Sequence, residues 1–391
     1  MLFAVVTALP FVIATQAHAQ AGSLITFDWD SAPHTVSTAR NAESLVTLYG
    51  RGIDRLFKAA SIDGDRKGRL ARILKTPGDV YVAWLATLLG HEFGHCQRAW
   101  LAGSRDCHWV SAPGPYALGH IISVGDAGQL SAAGRLGITA GGVQSSVVGA
   151  DDVRREMFGQ GPVHWSLAPL LVVRQLDLTQ YGLTAPSPAN AAPADYANDM
   201  TNYAIRYGSR SGRGGELVHQ DIVHGAIWNT VDPASWFAAW SYFADYVAHG
   251  RTALRPQGFF VGDLRWMVGT HAWLSEVGVR YSLGVFVRSN LDVLEVTPSW
   301  GEGQPAANVR WTRILPPDVT VTINGDFWRQ RESASPGPRQ TGGSLGAGLS
   351  RSFGRLVISA DAGYKTAGAM LARPQARGWW WGVGAGWRIG S

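Results

Sequence analysis

The chain is best understood from residues 79–103, which read DVYVAWLATLLGHEFGHCQRAWLAG. An apolar run leads directly into two histidines four residues apart, His91 and His95. The preceding Thr76-Pro77-Gly78-Asp79 is typical of a helix start, with Asp79 as the N-cap residue, and Gly103 is typical of a helix end. We therefore predict one largely buried helix from about Asp79 to Gly103.

The segment His91-Glu92-Phe93-Gly94-His95 is a metal-binding pattern when it lies on a helix. Residues four apart share a helix face, so both imidazoles can bind one zinc ion. Glu92 would then hold a water molecule and take its proton as general base. The pattern arises by chance in roughly one chain in a hundred of this length. The alternative is that both histidines are ordinary core or surface residues.

Catalytic zinc needs a third protein ligand, which this motif does not supply. The longer pattern HExxHxxGxxH is absent, because Arg98 and Leu101 occupy the positions of its glycine and third histidine. Candidates elsewhere in the chain are Gln144, Asp232 and the pair His219 and His224. We rank Asp232 first, then His224 and Gln144, and then His108 and His120. Two of them have competing roles: Asp232 as the cap of a helix beginning at Pro233, and Gln144 as a packing residue.

The sequence GHEFGHCQRAWLAG, residues 90–103, resembles the active-site helix of site-2-protease-type zinc peptidases. AGGVQSS, residues 140–146, is similar to the small-residue helix of that family, and Asn229–Pro233 is similar to its downstream segment with a zinc-binding aspartate. The resemblance implies zinc ligands at His91, His95 and Asp232 and a general base at Glu92. The chain departs from the family in lacking membrane helices and in having a β-rich tail, so only the zincin chemistry is carried over.

The last third of the chain alternates with period two, which predicts antiparallel strands. The predicted strands are 276–287, 309–315, 319–323, 345–349, 356–364 and 379–389. In the last of them Trp379, Trp381, Val383 and Trp387 share one face, with glycines on the other. Such a face is typical of a lipid-facing barrel strand, although a soluble sheet packed on helices gives the same alternation. A small barrel would include an N-terminal strand at residues 23–30.

The first residues are typical of a secretory signal peptide, with an apolar stretch from Leu2 to Ala14 and a small-residue cleavage site after Ala19. The alternative is a buried N-terminal helix. No other stretch reaches the roughly 18 unbroken apolar residues of a membrane helix. An exported chain can oxidise its two cysteines, Cys96 and Cys107, to a loop-closing disulfide, although one thiol could instead bind metal.

The composition is poor in charge, with 16% charged residues and a net charge of +5. No dense run of lysine and arginine is interleaved with aromatic residues, so we expect no nucleic-acid partner. The sequence predicts an α+β protein with a signal peptide at 1–19, a helical zincin-like domain at 20–255, and an antiparallel β-sheet or small β-barrel at 256–391.

The predicted function is that of an exported zinc metallopeptidase of the cell envelope, in the outer membrane or periplasm. It would act on protein or peptide substrates and associate with a membrane through its β region. Tyr203, His219 and His224 are candidates for the group that stabilises the oxyanion. Two alternatives remain: a non-enzymatic envelope protein with a structural metal site, and a zinc hydrolase of a non-peptide envelope substrate.

Overall fold

A computed structural model shows a helical N-terminal part followed by a run of antiparallel strands, which confirms the predicted α+β class. The structure describes residues 23–30, 35–62, 65–111, 120–160, 162–192, 198–254, 258–302, 304–315, 318–331, 337–368, 371 and 377–389. The predicted signal peptide at 1–19 lies outside these residues.

The helical part contains eight α-helices within the described ranges. They are α1 (Thr35–Ala59), α2 (Asp65–Leu101), α3 (Ala132–Arg154), α4 (Leu167–Gln175), α5 (Asp177–Thr184), α6 (Asp199–Ser211), α7 (Gly215–Thr230) and α8 (Pro233–Ser241). Short π-helical turns extend α3 and α8, at Arg155–Gln160 and Tyr242–Val247. Among the helices that the structure describes, none has the length and apolar character needed to cross a membrane.

The helix that carries the two histidines is longer than the sequence predicts. It begins at Asp65 and continues through Pro77, so the predicted start at Asp79 is wrong. The Asp79 carboxylate does not cap a helix but accepts hydrogen bonds from the hydroxyls of Tyr49 (2.9 Å) and Tyr242 (2.5 Å). These tertiary contacts hold the helix together across the position where proline removes a backbone donor.

The strands form one large antiparallel sheet and two small pairs. The large sheet has the order β1-β14-β13-β12-β11-β10-β9-β8-β7-β6. Its strands are β1 (Ser23–Asp30), β6 (Phe259–Val261), β7 (Leu264–Ser275), β8 (Gly278–Arg288), β9 (Asp292–Trp300), β10 (Ala306–Leu315), β11 (Val319–Arg331), β12 (Arg339–Phe353), β13 (Leu356–Lys365) and β14 (Gly378–Ile389). The small pairs are β2 (Cys107–Ser111) with β3 (His120–Val124), and β4 (Val163–His164) with β5 (Ala253–Leu254).

The N-terminal strand joins the sheet as the sequence predicts. It pairs antiparallel with the last strand, from Ser23 opposite Ile389 to Asp30 opposite Gly382. The two ends of the described chain therefore lie side by side at one edge of the sheet.

The helices pack against the sheet near both ends of its strand order. Helices α3, α7 and α8 pack on β7, and α1 contacts β1. One buried core, around Trp165 and Met157, joins α3, α4 and α8 to Met267 of β7. A second, around Tyr203 and Tyr207, joins α3, α6 and α7 to the far end of β7. The second core holds α3 and α6, two of the helices that contribute to the site described next.

Candidate metal centre

Three side chains from two distant helices converge in the helical part. The Asp199 Oδ2 atom of α6 lies 3.0 Å from His95 Nε2 and 3.4 Å from His91 Nε2, both on α2. The three ligand atoms all lie within 4.8 Å of one another. Both histidines are buried and Asp199 is partly buried, so the cluster is shielded from bulk water.

The geometry of this cluster is compatible with a bound metal ion. Tetrahedral zinc, with bonds of roughly 2.0–2.2 Å, places neighbouring ligand atoms about 3.4 Å apart. The two distances from Asp199 Oδ2 lie close to this value. Two imidazole nitrogens and one carboxylate oxygen also form a donor set that zinc accepts, and three protein ligands leave one position open.

The remaining ring nitrogens of the two histidines have their own partners. His91 Nδ1 lies 2.8 Å from an oxygen of Asp177, the first residue of α5. His95 Nδ1 lies 2.7 Å from the backbone carbonyl oxygen of Ile138 in α3. Both partners are acceptors, so they place a proton on Nδ1 and leave Nε2 free to bind a metal.

Asp199 is held in place by the start of its own helix. The Asn198 side chain caps α6 by accepting hydrogen bonds from the backbone N–H groups of Met200 (2.9 Å) and Thr201 (3.3 Å). One turn further on, the Tyr203 hydroxyl donates to the carbonyl oxygen of Ser275 at the end of β7 (2.6 Å). The cap fixes where α6 begins, and Tyr203 anchors it to the sheet.

The charges of the cluster depend on one another. Burial alone lowers the pKa of His91 and of His95, but the carboxylates of Asp177 and Asp199 outweigh it, and both pKa values lie above the usual 6.5. Burial would raise the pKa of Asp199, yet the positive charge of His95 and hydrogen bonds from both histidines lower it strongly. In the absence of metal, the carboxylates therefore favour the protonated imidazoles, and the imidazoles favour the ionised carboxylate of Asp199.

Glu92 and Tyr181 lie beside this cluster. Burial raises the pKa of the Glu92 carboxyl above 4.5, although the charges of His91 and His95 offset part of the rise. The Tyr181 ring stacks on His91, with centroids 4.9 Å apart and an interplanar angle of 13°. Burial raises the pKa of Tyr181 to about 12, so its hydroxyl remains a hydrogen-bond donor at neutral pH.

The residue that the sequence ranks first as third ligand is engaged elsewhere. Asp232 caps α8 by accepting from the backbone N–H of Ser235 (2.9 Å), and it pairs with buried Arg154 at 2.9 Å. Its second oxygen accepts from the backbone N–H of Thr270 (2.8 Å). The expectation of Asp232 as a ligand is therefore corrected in favour of Asp199, and the competing capping role is the one observed.

Gln144, His224 and His108 also lie outside the cluster. Gln144 accepts from Arg98 and donates to the carbonyl oxygen of Leu274 (2.8 Å), so it joins α2 and α3 to the sheet. His224 is exposed on α7, and exposed His108 pairs with Asp106. His120 is the first residue of β3.

Tyr203 and His219, which the sequence suggested for oxyanion stabilisation, have hydrogen-bond partners elsewhere. The Tyr203 hydroxyl is buried and donates to Ser275, and His219 Nε2 lies 3.2 Å from the carbonyl oxygen of Ala185. Tyr181, which the sequence did not single out, is the tyrosine whose ring stacks on His91.

Three residues of the site were missed from sequence: Asp199, Asp177 and Tyr181. Asn198-Asp199 does carry a signal, since an Asn cap followed by an acidic residue is typical of a helix start. That signal places Asp199 on a helix, but it does not show that the helix packs beside His95.

The two cysteines form a disulfide, as the sequence allowed. Cys96 and Cys107 are bonded, with their Cα atoms 5.5 Å apart. The bond ties the residue after His95 to the start of β2. Neither thiol is therefore free to bind metal.

Comparisons with known proteins give little. No protein-family model matches the chain, and no curated protein matches it. Among solved structures, the chain is similar to a NanC porin in a rhombohedral crystal form, with a TM-score of 0.26 and 10% identity, over 34% of this chain and 74% of that one. A likeness this weak carries no argument about fold or function.

Proposed function

We propose that this chain is a zinc-dependent hydrolase with a zincin-like helical domain, and that it cleaves peptide bonds. The observation that carries the proposal is the convergence of His91 Nε2, His95 Nε2 and Asp199 Oδ2 next to the buried carboxyl of Glu92. A purely structural zinc site normally has four protein ligands, whereas the cluster found among the described residues has three.

Each residue has a distinct role in this proposal. His91, His95 and Asp199 hold the metal, and Asp177 and the Ile138 carbonyl orient the two imidazoles. When bound, zinc supplies Lewis acidity toward a substrate carbonyl and toward water.

Glu92 accepts the proton of the attacking water, and its raised pKa makes it a stronger base than an exposed carboxylate. Once protonated, Glu92 returns that proton to the leaving amine. Tyr181, as a protonated phenol beside His91, is our candidate donor to the developing oxyanion.

The peptide substrate and the cell-envelope location are supported by sequence features. The peptide bond follows from the resemblance of residues 90–103 to peptidase helices, and export follows from the signal-like residues 1–19. The disulfide next to the motif is consistent with an oxidising compartment.

The test compares purified wild type with Glu92→Gln and with Glu216→Gln, a control on the exposed start of α7. Zinc content and casein hydrolysis are measured for all three. We expect zinc in each, and hydrolysis by Glu92→Gln lower by on the order of 100-fold or more. Zinc in all three with no casein cleavage by wild type would contradict the peptidase proposal and direct attention to other envelope substrates. Absence of zinc from wild type after reconstitution would contradict the proposal of a zinc-dependent hydrolase.

A further inference from the structure

The last strand of the sheet exposes its apolar face. Trp379, Trp381 and Trp387 of β14 are 77%, 50% and 52% exposed. Trp380, between the first two, is only 8% exposed, and the glycines that alternate with the outward residues are buried. A soluble sheet would bury the tryptophan-rich face and expose the other one.

The same arrangement continues across the neighbouring strands. We call the exposed side of β9–β14 the outer face. Its large exposed apolar residues are Leu294, Trp300, Val309, Leu315, Ile323, Phe327, Leu345, Leu349, Phe353, Ile358, Tyr364, Trp379, Trp381, Val383 and Trp387. Pairing registers place them side by side, for example Tyr364 opposite both Leu345 and Trp379. The outer face is therefore mostly apolar, and its charged residues include Arg351 and the ion pair of Arg313 with Asp292.

The opposite side of the same strands is polar. Asn308 donates to Asp326 at 2.8 Å, and Ser344 hydrogen-bonds to the same carboxylate from the next strand. Thr312 and Thr322 are hydrogen-bonded at 3.3 Å. A polar inside and an apolar outside reverse the pattern of a water-soluble sheet and match that of a sheet surrounded by lipid.

The ends of the outer face carry aromatic residues. Trp379, Tyr364 and Trp300 lie toward one end of the strands, and Trp387 and Phe353 lie at the other. The nine residues from Trp379 to Trp387 span about 26 Å along the strand. Nine residues reach the lower end of the roughly 9–11 residues in a tilted membrane-spanning strand.

Arginines lie close to both aromatic ends. The Arg351 guanidinium lies 4.8 Å from the ring centroid of Phe353 at one end, and exposed Arg329 lies toward the other. Their positive charges are placed where anionic lipid headgroups would meet them. A second copy packed on this face would bring arginines of like charge together. The placement of charge therefore favours a bilayer as the partner of this face.

The apolar surface also continues past the last strand of the sheet order. Phe259 and Phe260 of β6 are 55% and 68% exposed, and Trp236 and Trp240 of α8 are 65% and 68% exposed. The Phe259 ring meets Phe237 of α8 edge-on, with centroids 5.7 Å apart. Helix α8 therefore extends the outer face beyond the strand edge at β6.

We propose that this protein sits in a lipid bilayer, with the outer face of the sheet against the acyl chains and the exposed aromatic residues of β6 and α8 completing that surface. The proposal does not depend on hydrolase activity or on bound zinc.

The first test is residue-resolved labelling of full-length protein in vesicles of phosphatidylcholine and phosphatidylglycerol, using an apolar carbene probe dissolved in the bilayer. We expect labelling at alternate positions of β13, at Ile358, Ala360 and Ala362 but not at Ser359 or Asp361. The vesicles should retain the protein after an alkaline carbonate wash. Uniform labelling, release by the wash, or a detergent-free dimer that protects the outer face would each overturn the proposal.

A matched pair of variants gives the second test. Leu349→Arg places a charge inside the apolar band, whereas Thr341→Arg places the same charge on the same face of β12 outside the band. We expect the vesicle-inserted fraction of Leu349→Arg to fall on the order of tenfold or more, and Thr341→Arg to insert like wild type. Equal insertion of both variants, or better detergent-free solubility of Leu349→Arg with unchanged labelling, would overturn the proposal.

Discussion

Gly94 of α2 and Gly141 of α3 bring the two helix backbones into direct contact. A Cβ atom on Gly94 would lie 2.4 Å from the Gly141 carbonyl oxygen, and one on Gly141 would lie 2.6 Å from the Gly94 carbonyl oxygen. The contact lies inside the HEFGH motif, one residue before His95. It sets the distance at which α3 supplies the Ile138 carbonyl to that histidine.

The first prediction concerns this helix crossing. Gly141→Ala inserts a methyl group against the Gly94 backbone, with Arg98 Cγ only 3.0 Å away. We therefore expect a loss of about 2 kcal/mol or more in the free energy of unfolding. Gly90→Ala is the control, because its Cβ would meet only Ser145 Oγ at 3.9 Å. Urea denaturation of both variants measures the difference. Equal stability of the two variants would show that the helices do not cross this closely.

The second prediction concerns the orientation of His91. Asp177→Asn keeps the size of the side chain but removes the negative charge of the carboxylate whose oxygen lies 2.8 Å from His91 Nδ1. We expect zinc affinity to fall by roughly 10- to 100-fold with the fold intact. Asp106→Asn serves as control, because Asp106 contacts exposed His108 in the same way. Competition with a chromophoric chelator measures both affinities, and equal affinities would contradict the assigned role of Asp177.

The third prediction concerns pH. His91 and His95 have pKa values above 6.5 in the metal-free protein, so their ion pairs contribute fully to stability below pH 6.5. That contribution is lost as the pH rises through the folded-state values. We expect the melting temperature in chelator to fall as the pH rises above 6.5. Zinc affinity should rise over the same range, because the ligands must be deprotonated.

Melting curves with and without zinc, from about pH 6 to pH 8.5, test both trends. In the double variant His91→Gln with His95→Gln, the melting temperature in chelator should no longer fall with rising pH for this reason. A melting temperature in chelator that rises with pH for wild type, but not for the variant, would contradict the ion-pair assignment.

The fourth prediction concerns the disulfide. Cys96 and Cys107 are separated by 11 residues in sequence, and closing a loop of this size stabilises a fold by about 3 kcal/mol in the chain-entropy description. We expect Cys96→Ser with Cys107→Ser to lose about this much unfolding free energy. Reductant should destabilise wild type but leave the variant unchanged. A wild type insensitive to reductant would contradict the bond.

The sequence was most informative where a short pattern determines local structure. HEFGH placed His91, Glu92 and His95 on one helix, and alternation located the strands. Asp232-Pro233 marked a helix start, which the structure confirms with Asp232 as the cap.

Long-range contacts decided what the sequence missed. Asp199 lies more than 100 residues after His95, and the anchoring of α6 to the sheet through Tyr203 and Tyr207 helps to bring it beside that histidine. Likewise, Pro77 looked like a helix boundary because the partners of Asp79, Tyr49 and Tyr242, are distant in sequence. Alternation gave two faces for each strand but did not show which face lies outside.

The most direct test of the metal centre is zinc binding to metal-free wild type, Asp199→Asn and Asp232→Asn, with circular dichroism to confirm folding. We expect one zinc per chain in wild type and in folded Asp232→Asn, and an affinity at least 100-fold weaker in Asp199→Asn. Wild-type affinity in Asp199→Asn, or loss of zinc in folded Asp232→Asn alone, would contradict the assignment of Asp199 as the third ligand.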